Sequence, residues 1–321
     1  MTIAFSLQFQ KKEEIDKEWD VIIIGGGPAG YTAAIYCGRY KLKTLIITKD
    51  IGGLLNEISV LENYPGFKKI RGSELAKLLK EQADEVGVKT ILDEVLRVER
   101  NGEKFKVISR GYGEFYSKAV IVATGSARRK LGVPGENLPG VSYCAECDAP
   151  LFKNKVVAVV GGGSTAFHDA LVLSEHASKV YIIHRREEFR AEPILVEEAK
   201  RNPKIDFLLN KVVVEMRGKE KVEEIVVQDI KTNDKITLKV DGVFVSIGMI
   251  PVSGLFQEMN VNIDENGYII VDDCMKTNIE GLLAAGDVTN KGCGLKQVII
   301  AAGMGAIAAL SAFMYIKMSK W

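Results

Sequence analysis

The sequence predicts an α/β protein of two parallel-sheet domains, the second inserted into the first. Three observations predict it. First, three apolar runs each end in glycine: Trp19 to Ile24, Val156 to Val160, and Leu282 to Ala285. Unbroken apolar runs of this length suit parallel strands buried on both faces. Second, after the first two runs a helix pattern and another strand follow. Ala29 to Arg39 leads to Thr44–Thr48, and Thr165 to Glu175 leads to Lys179–His184. This is a β-α-β order written twice. Third, the chain has 321 residues, which exceeds one average domain.

Two further runs lead out of one domain and into the other. Ala119 to Ala123 ends in Thr124-Gly125, and Gly242 to Ile247 ends in Gly248. With the crossovers placed there, the first domain comprises residues 1–124 and 250–321, and the second comprises 125–249. Each half then has the form of a Rossmann-like dinucleotide-binding domain, as in a loose internal duplication. Glycine at the strand ends suits a hinge.

Composition excludes several classes. Hydrophobic residues make up 47% and charged residues 26%, as in an ordinary globular protein. The formal net charge is +1, so nothing points to nucleic acid or to disorder. Five cysteines, an odd number in a long chain, argue against a secreted disulfide framework. Residues 1–20 lack a basic stretch followed by an apolar one, and Lys11 to Glu18 reads as a solvated charged arm. A cytoplasmic location with no membrane association is expected. Val298 to Ile316 is uncharged and long enough to span a bilayer, but its Ala and Gly content fits a buried core helix better.

The first glycine motif is Gly25-X-Gly27-X-X-Gly30, with Pro28 and Ala29 inside it. Gly25 permits a tight turn, Gly27 lets the backbone approach a pyrophosphate, and Gly30 lets helix and strand pack closely. The helix N-terminus offers free N–H groups and a positive dipole end to phosphate. An acidic residue often ends the next strand and holds a ribose. Here that strand ends at Thr48, which shifts part of the ribose recognition to other groups.

The second motif is Gly161-X-Gly163-X-X-Ala166, with Ser164 and Thr165 inside it. Its partner strand ends in His184-Arg185-Arg186, with Arg190 shortly after. Guanidinium groups there form charge-assisted bonds to a ribose 2′-phosphate, which points to NADPH rather than NADH. The alternative is a surface cluster in which the arginines pair with Glu187 and Glu188.

Cys144-Ala145-Glu146-Cys147 is the only Cys-X-X-Cys. The spacing lets two sulfurs close a small ring, and such dithiols have lowered first pKa values. A lone pair cannot make a four-thiolate zinc site, and no metal is expected. Asp148 follows directly. It is a candidate acid or base for thiol exchange, or else a cap on the next turn. Cys37 reads as a core residue on a helix face, and Cys274 and Cys293 as inert thiols.

Taken in order, these motifs resemble low-molecular-weight thioredoxin reductase over nearly the full chain. The matching segments are Gly25–Gly30, Glu62-Asn63-Tyr64-Pro65-Gly66-Phe67, Ala123-Thr124-Gly125, Cys144–Asp148, Gly161–Ala166, His184–Ala191, and Gly286-Asp287 with Lys296-Gln297-Val298. The resemblance implies FAD in the first domain, NADPH in the second, and a homodimer. For FAD it adds Gly53, Leu54, Asn63, Ala123, Thr124, Gly125, Gly286, Asp287, Lys296, Gln297 and Val298 to the first glycine motif and Thr48. For NADPH it adds Ile247 and Gly248 to the second motif and the basic cluster. It places Asp287 at the ribityl–phosphate region, Gln297 and Val298 near the flavin, and Cys147 as the sulfur beside the flavin.

Several residues depart from the family pattern: Glu146 and Ala149 around the cysteines, Lys296 where Arg is common, Phe167-His168-Asp169 after the second motif, and Leu54-Leu55 where a Gln is common. None removes a reacting group. The implied activity carries electrons from NADPH through FAD to the Cys144–Cys147 disulfide and on to a thioredoxin-type disulfide. Two alternatives share the architecture: a flavin NADPH reductase for another dithiol or peroxide-reducing partner, and a flavin-binding redox sensor without turnover.

Overall fold

The computed structural model describes residues 15–58, 60–319 and 321. Its first sheet begins with β1 (Glu18–Ile24), β2 (Thr44–Thr48) and β3 (Lys89–Leu92), with helices α1 (Pro28–Arg39) and α2 (Gly72–Glu85) between them. β4 (Val95–Asn101), β5 (Lys104–Ser109) and β6 (Gly113–Val122) follow as an antiparallel meander. The connecting strand is β7 (Ser126–Arg128).

Next come β8 (Val141–Ser142), the short helix α3 (Ala145–Asp148), β9 (Val156–Val160), α4 (Ser164–His176), β10 (Lys179–His184), α5 (Pro193–Arg201) and β11 (Ile205–Leu209). β12 (Lys211–Arg217), β13 (Glu224–Asp229) and β14 (Lys235–Lys239) form a second meander, and β15 (Gly242–Val245) returns to the parallel sheet. β16 (Met249–Pro251), β17 (Leu282–Ala284) and α6 (Val298–Met318) complete the chain.

The first sheet runs β3-β2-β1-β6, with β17 added parallel to the far end of β6. On the edge away from β1, β6 serves two neighbours along its length. Residues Val120 to Val122 pair with β17, while Gly113 to Ser117 pair with β5. The second sheet is parallel throughout, in the order β11-β10-β9-β15-β8. The α/β class is therefore as the sequence predicts, but only the second sheet is wholly parallel: the first is mixed, because β5 and β4 extend it antiparallel beyond β6. The apolar strands are buried: Val21, Ile22 and Ile23 in β1 and Val157, Ala158 and Val159 in β9 have no exposed surface. Each glycine motif lies at the C-terminal end of the strand where its sheet reverses order, the usual ligand crevice of such folds.

Three expectations need correction. The strands end earlier than the apolar runs: β6 stops at Val122, β15 at Val245 and β17 at Ala284. The residues beyond turn out of the sheets to form the crevices.

The two crossovers also each carry a short strand beyond the apolar runs, which the sequence reading did not predict. β7 and β16 pair antiparallel as a ribbon, with Ser126 opposite Pro251 and Arg128 opposite Met249. Gly125 (φ 67°) and Gly248 (φ 99°) stand at its two ends, each with open space where a Cβ would be.

Third, α6 is buried on one face only. That face packs on α1 so closely that a Cβ on Gly305 would lie 2.2 Å from the Ala29 carbonyl oxygen. Ile299, Ile307 and Leu310 on the other face are exposed. By length and composition alone this helix could cross a membrane. Half of the Lys11–Glu18 run, residues 11–14, lies outside the described residues.

Candidate active site

The first crevice is formed where β1, β2, β6 and β17 end. Gly25 has φ 113°, and a Cβ there would meet the Ala123 carbonyl oxygen at 2.2 Å. A Cβ on Gly30 would meet the Gly25 oxygen at 1.9 Å. Both glycines are therefore required by packing alone. Gly27 differs: its Cβ position meets nothing nearer than the Gly52 oxygen at 3.8 Å. It precedes Pro28 at the N-terminus of α1, where no side chain caps the helix. Gly53 faces it: a Cβ on Gly53 would lie 3.6 Å from the Gly27 Cα. The two glycines leave room beside the uncapped N-terminus of α1, whose first-turn N–H groups fit a pyrophosphate.

Thr48 donates its hydroxyl to the Asp50 carbonyl at 2.7 Å, so toward a ribose it can only accept. The Asp50 carboxylate takes the Gly53 N–H at 2.7 Å and so pins the loop that faces the cradle. Gly26 was not singled out by sequence, yet its Cβ would strike Thr48 and the Asp50 oxygen at 2.8 Å.

On the opposite wall, the Gly286 loop presses against α1: a Cβ on Gly286 would lie 2.9 Å from the Ala29 Cβ. Burial pushes the neighbouring Asp287 carboxylate above its ordinary range, opposed by the Lys296 charge and a Ser126 hydroxyl at 3.4 Å. Lys296 donates to the Thr289 carbonyl at 3.0 Å and lies 4.3 Å over the Tyr268 ring. Asn63 donates to the Gln297 side-chain oxygen at 2.9 Å, fixing Gln297 at the start of α6, ahead of Val298. Thr124 ties Ala123 and Gly125 to the returning chain through Val252 O at 2.7 Å. Leu54 sits in the 3-10 turn Gly53–Glu57.

The second crevice repeats this division of labour. A Cβ on Gly161 would meet the Ser246 oxygen at 2.3 Å, and one on Gly162 would meet the His184 ring at 2.2 Å. Around the Gly163 Cβ position there is nothing within 4 Å. Ala166 packs beneath Gly161, Ser164 accepts the Glu192 N–H at 3.1 Å, and Thr165 opens α4 beside it. Ile247 and Gly248 follow Ser246 along the rim.

Burial, with the charges of Arg186, Arg185 and Arg190, lowers the His184 pKa and favours the neutral ring. Arg185, Arg186 and Arg190 are exposed and make no ion pair among the described residues. Glu187 is taken by Lys231 and Asn210 instead, so the self-paired cluster is not what forms. Unpaired guanidinium groups beside an open glycine fit a nucleotide that carries an extra phosphate.

Cys144 and Cys147 form a disulfide across the N-terminus of α3. The Cys147 N–H points at the Cys144 sulfur at 3.3 Å. An N–H donor there favours a thiolate at Cys144 once the bond is reduced. Asp148 heads the 3-10 turn Ala149–Phe152 but gives it no side-chain cap, so the capping role is absent. Although the pair belongs to the inserted segment, both sulfurs rest on the first sheet's side of the molecule. The Glu57 carbonyl oxygen lies 2.8 Å from the Cys147 sulfur and 3.0 Å from the Cys144 sulfur. Cys37 is buried, and Cys274 and Cys293 are exposed.

The pattern of the family described as pyridine nucleotide-disulphide oxidoreductase matches residues 19–305. The chain belongs to this family. The pyridine nucleotide-disulphide oxidoreductase is 43% identical to the thioredoxin reductase of Bacillus subtilis over 307 residues, 94% of this chain and 96% of that one. Among solved structures, Lactococcus lactis thioredoxin reductase in its FR conformation aligns with a TM-score of 0.83 at 39% identity, covering 93% of this chain and 99% of that one. T. acidophilum thioredoxin reductase aligns at 0.80 with 36% identity, covering 93% and 98%.

The oxidoreductase also has site neighbours that sequence reasoning missed. Glu136 is buried and accepts from the Tyr143 hydroxyl at 2.6 Å and from the Leu131 and Gly132 N–H groups at 2.7 Å each. Burial alone would raise its pKa, but these bonds prevail and hold it below the usual range. Tyr143 directly precedes Cys144, so this buried carboxylate anchors the disulfide's approach strand. Asp169, also buried, accepts from the Ser246 hydroxyl, and burial raises its pKa. The departure at Phe167-His168-Asp169 was a signal for Asp169. Nothing in the sequence marks Glu57.

Proposed function

We infer that the chain is a thioredoxin-disulfide reductase, using NADPH and FAD to reduce the Cys144–Cys147 disulfide and then a protein disulfide of thioredoxin type. Membership of the oxidoreductase family and full-length relatives named thioredoxin reductase support this. The observation that carries it is the disulfide itself: held by the segment that bears one glycine cradle, it rests against the domain that bears the other.

In this reading residues 1–124 and 250–321 bind FAD, and residues 125–249 bind NADPH and carry the cysteines. Gly27, Gly53 and the first turn of α1 receive the FAD pyrophosphate, and Thr48 accepts one ribose hydroxyl. Asp287, Lys296, Gln297 and Val298 line the flavin end. Gly163 and the first turn of α4 receive the second nucleotide, and Arg185, Arg186 and Arg190 bind its 2′-phosphate.

With both bound at these residues, the nucleotide and the flavin would together supply two electrons to the Cys144–Cys147 disulfide. The disulfide takes up two electrons and two protons to become a dithiol. The Cys144 thiolate, favoured by the Cys147 N–H, attacks a sulfur of the partner's disulfide, and a mixed disulfide forms as the partner's other sulfur leaves as a thiolate. Cys147 then attacks Cys144, which restores the internal disulfide and releases the partner's second sulfur. Asp148, whose carboxylate has no hydrogen-bond partner among the described residues, is free to take and return the proton. The disulfide must meet both the flavin and an outside protein, and the β7–β16 ribbon with its terminal glycines is the element that would let the domains turn.

A homodimer and a cytoplasmic location belong to the same reading. The exposed apolar face of α6 is a surface that a second copy would cover.

Two measurements test the proposal. Flavin released by heat and identified by chromatography should be FAD in stoichiometric amount. NADPH oxidation should be coupled to reduction of an aromatic disulfide reagent only weakly, and strongly once thioredoxin is added. Stoichiometric FMN, or NADPH oxidation indifferent to thioredoxin, would defeat it.

A further inference from the structure

Glu57 touches the disulfide with its backbone and the connecting ribbon with its side chain. It closes the 3-10 turn Gly53–Glu57 of the first domain, and its carbonyl oxygen lies against both sulfurs. Its carboxylate receives the Arg128 Nε at 2.7 Å. Arg128 is the last residue of β7, and the next residue, Arg129, donates its N–H to Gly248 O at 2.9 Å, at the end of the ribbon nearest the second domain. The pair therefore spans the ribbon, from the domain that carries the turn to the segment that carries the cysteines. Both side chains are partly shielded, at 27% and 42% exposure. The nearby His168–Glu146 contact, by comparison, stays within the second domain and is longer, at 4.0 Å.

We propose that Arg128 and Glu57 are a positioning pair that holds the Glu57 carbonyl over the Cys144–Cys147 disulfide and so sets how readily an outside thiol reaches it. In the oxidised protein the carbonyl covers one approach to each sulfur. After reduction the same oxygen can accept an S–H bond from either cysteine. Losing the ion pair frees the turn and uncovers the sulfurs. The proposal rests on the redox role of Cys144 and Cys147, but its test does not require turnover.

The test measures reduction of the Cys144–Cys147 disulfide by dithiothreitol in the purified holoenzyme. Samples are quenched with an alkylating reagent, and the modified cysteines are counted by mass spectrometry. In this exchange two electrons pass to the protein disulfide and the reagent leaves as its cyclic disulfide. Glu57→Gln and Arg128→Gln should each speed reduction about two- to fivefold, the range set by a partly exposed ion pair. The reversed pair, Glu57→Arg with Arg128→Glu, should return the rate toward that of the parent. Raised salt should speed the parent and leave the single variants unchanged.

A local field gives a different signature. Because the attacking thiolate is an anion, removing the carboxylate would speed it and removing the guanidinium would slow it. Opposite shifts, or single variants that react at the parent's rate, would overturn the proposal. NADPH bleaching of the bound flavin, recorded on the same preparations, reports separately on the functional reading.

Discussion

Replacing Gly163 with alanine separates a glycine needed for ligand approach from one needed for packing. The residue has φ −101° and ψ 174°, a conformation open to any amino acid. Its Cβ would meet no protein atom within 4 Å. The fold should therefore tolerate the change. Loss of backbone freedom in the unfolded chain should stabilise it by about 0.4–1 kcal/mol. That corresponds to a Tm rise of up to about 4 °C for a domain of this size.

In the proposed function, the methyl group would project into the space that the nucleotide backbone would occupy. Displacing a phosphate from its N–H donors forfeits about 1.5–3 kcal/mol of charge-assisted bonding, or about ten- to a hundredfold in affinity. The assay is a pair of measurements: a thermal melt of the purified protein, and the KM for NADPH. The expected result is an unchanged or raised Tm with KM raised at least about tenfold. Gly30→Ala is the contrasting case, since its Cβ would lie 1.9 Å from the Gly25 oxygen, and it should lower stability by about 1–3 kcal/mol or more. A Gly163→Ala protein that melts several degrees lower, or that binds NADPH as the parent does, would refute the division of roles.

Arg185→Ala with Arg186→Ala should raise the KM for NADPH about tenfold or more and leave that for NADH nearly unchanged, because both side chains are exposed and make no ion pair among the described residues. Equal losses for both nucleotides would count against a 2′-phosphate site. Replacing either Cys144 or Cys147 with Ser should abolish reduction of thioredoxin while NADPH still bleaches the flavin. Turnover that persists in both variants would make the disulfide incidental. Tyr143→Phe should cost about 1–2 kcal/mol in urea unfolding at neutral pH, because the buried Glu136 Oε1 loses one of its two donors and keeps only the Leu131 N–H. Since Glu136's pKa is lowered on folding, its contribution is present above the ordinary glutamate pKa of about 4.3 and fades as pH falls through the depressed value. The difference between parent and variant should shrink over that acid range, and a constant difference would contradict the charged bond.

What the sequence by itself determined was local. Strand, glycine turn and helix follow one another within a dozen residues, and each has its own signature: apolar runs, Gly25 and Gly161 at the turns, and small residues at helix starts. Cys144 and Cys147 are also local, since three residues of spacing suffice to bring the sulfurs together. The place of Arg185 and Arg186 just past a strand end was legible for the same reason, because β-α-β geometry fixes where the second strand ends. The tertiary structure alone decided what depends on residues far apart in the chain. Glu57 reaches the disulfide from about ninety positions away, and β7 finds β16 across the whole inserted domain. It also showed which face of α6 is covered, because an Ala-rich apolar helix has no polar side to betray its orientation. Such contacts arise from packing whole domains together, and no short-range pattern encodes them.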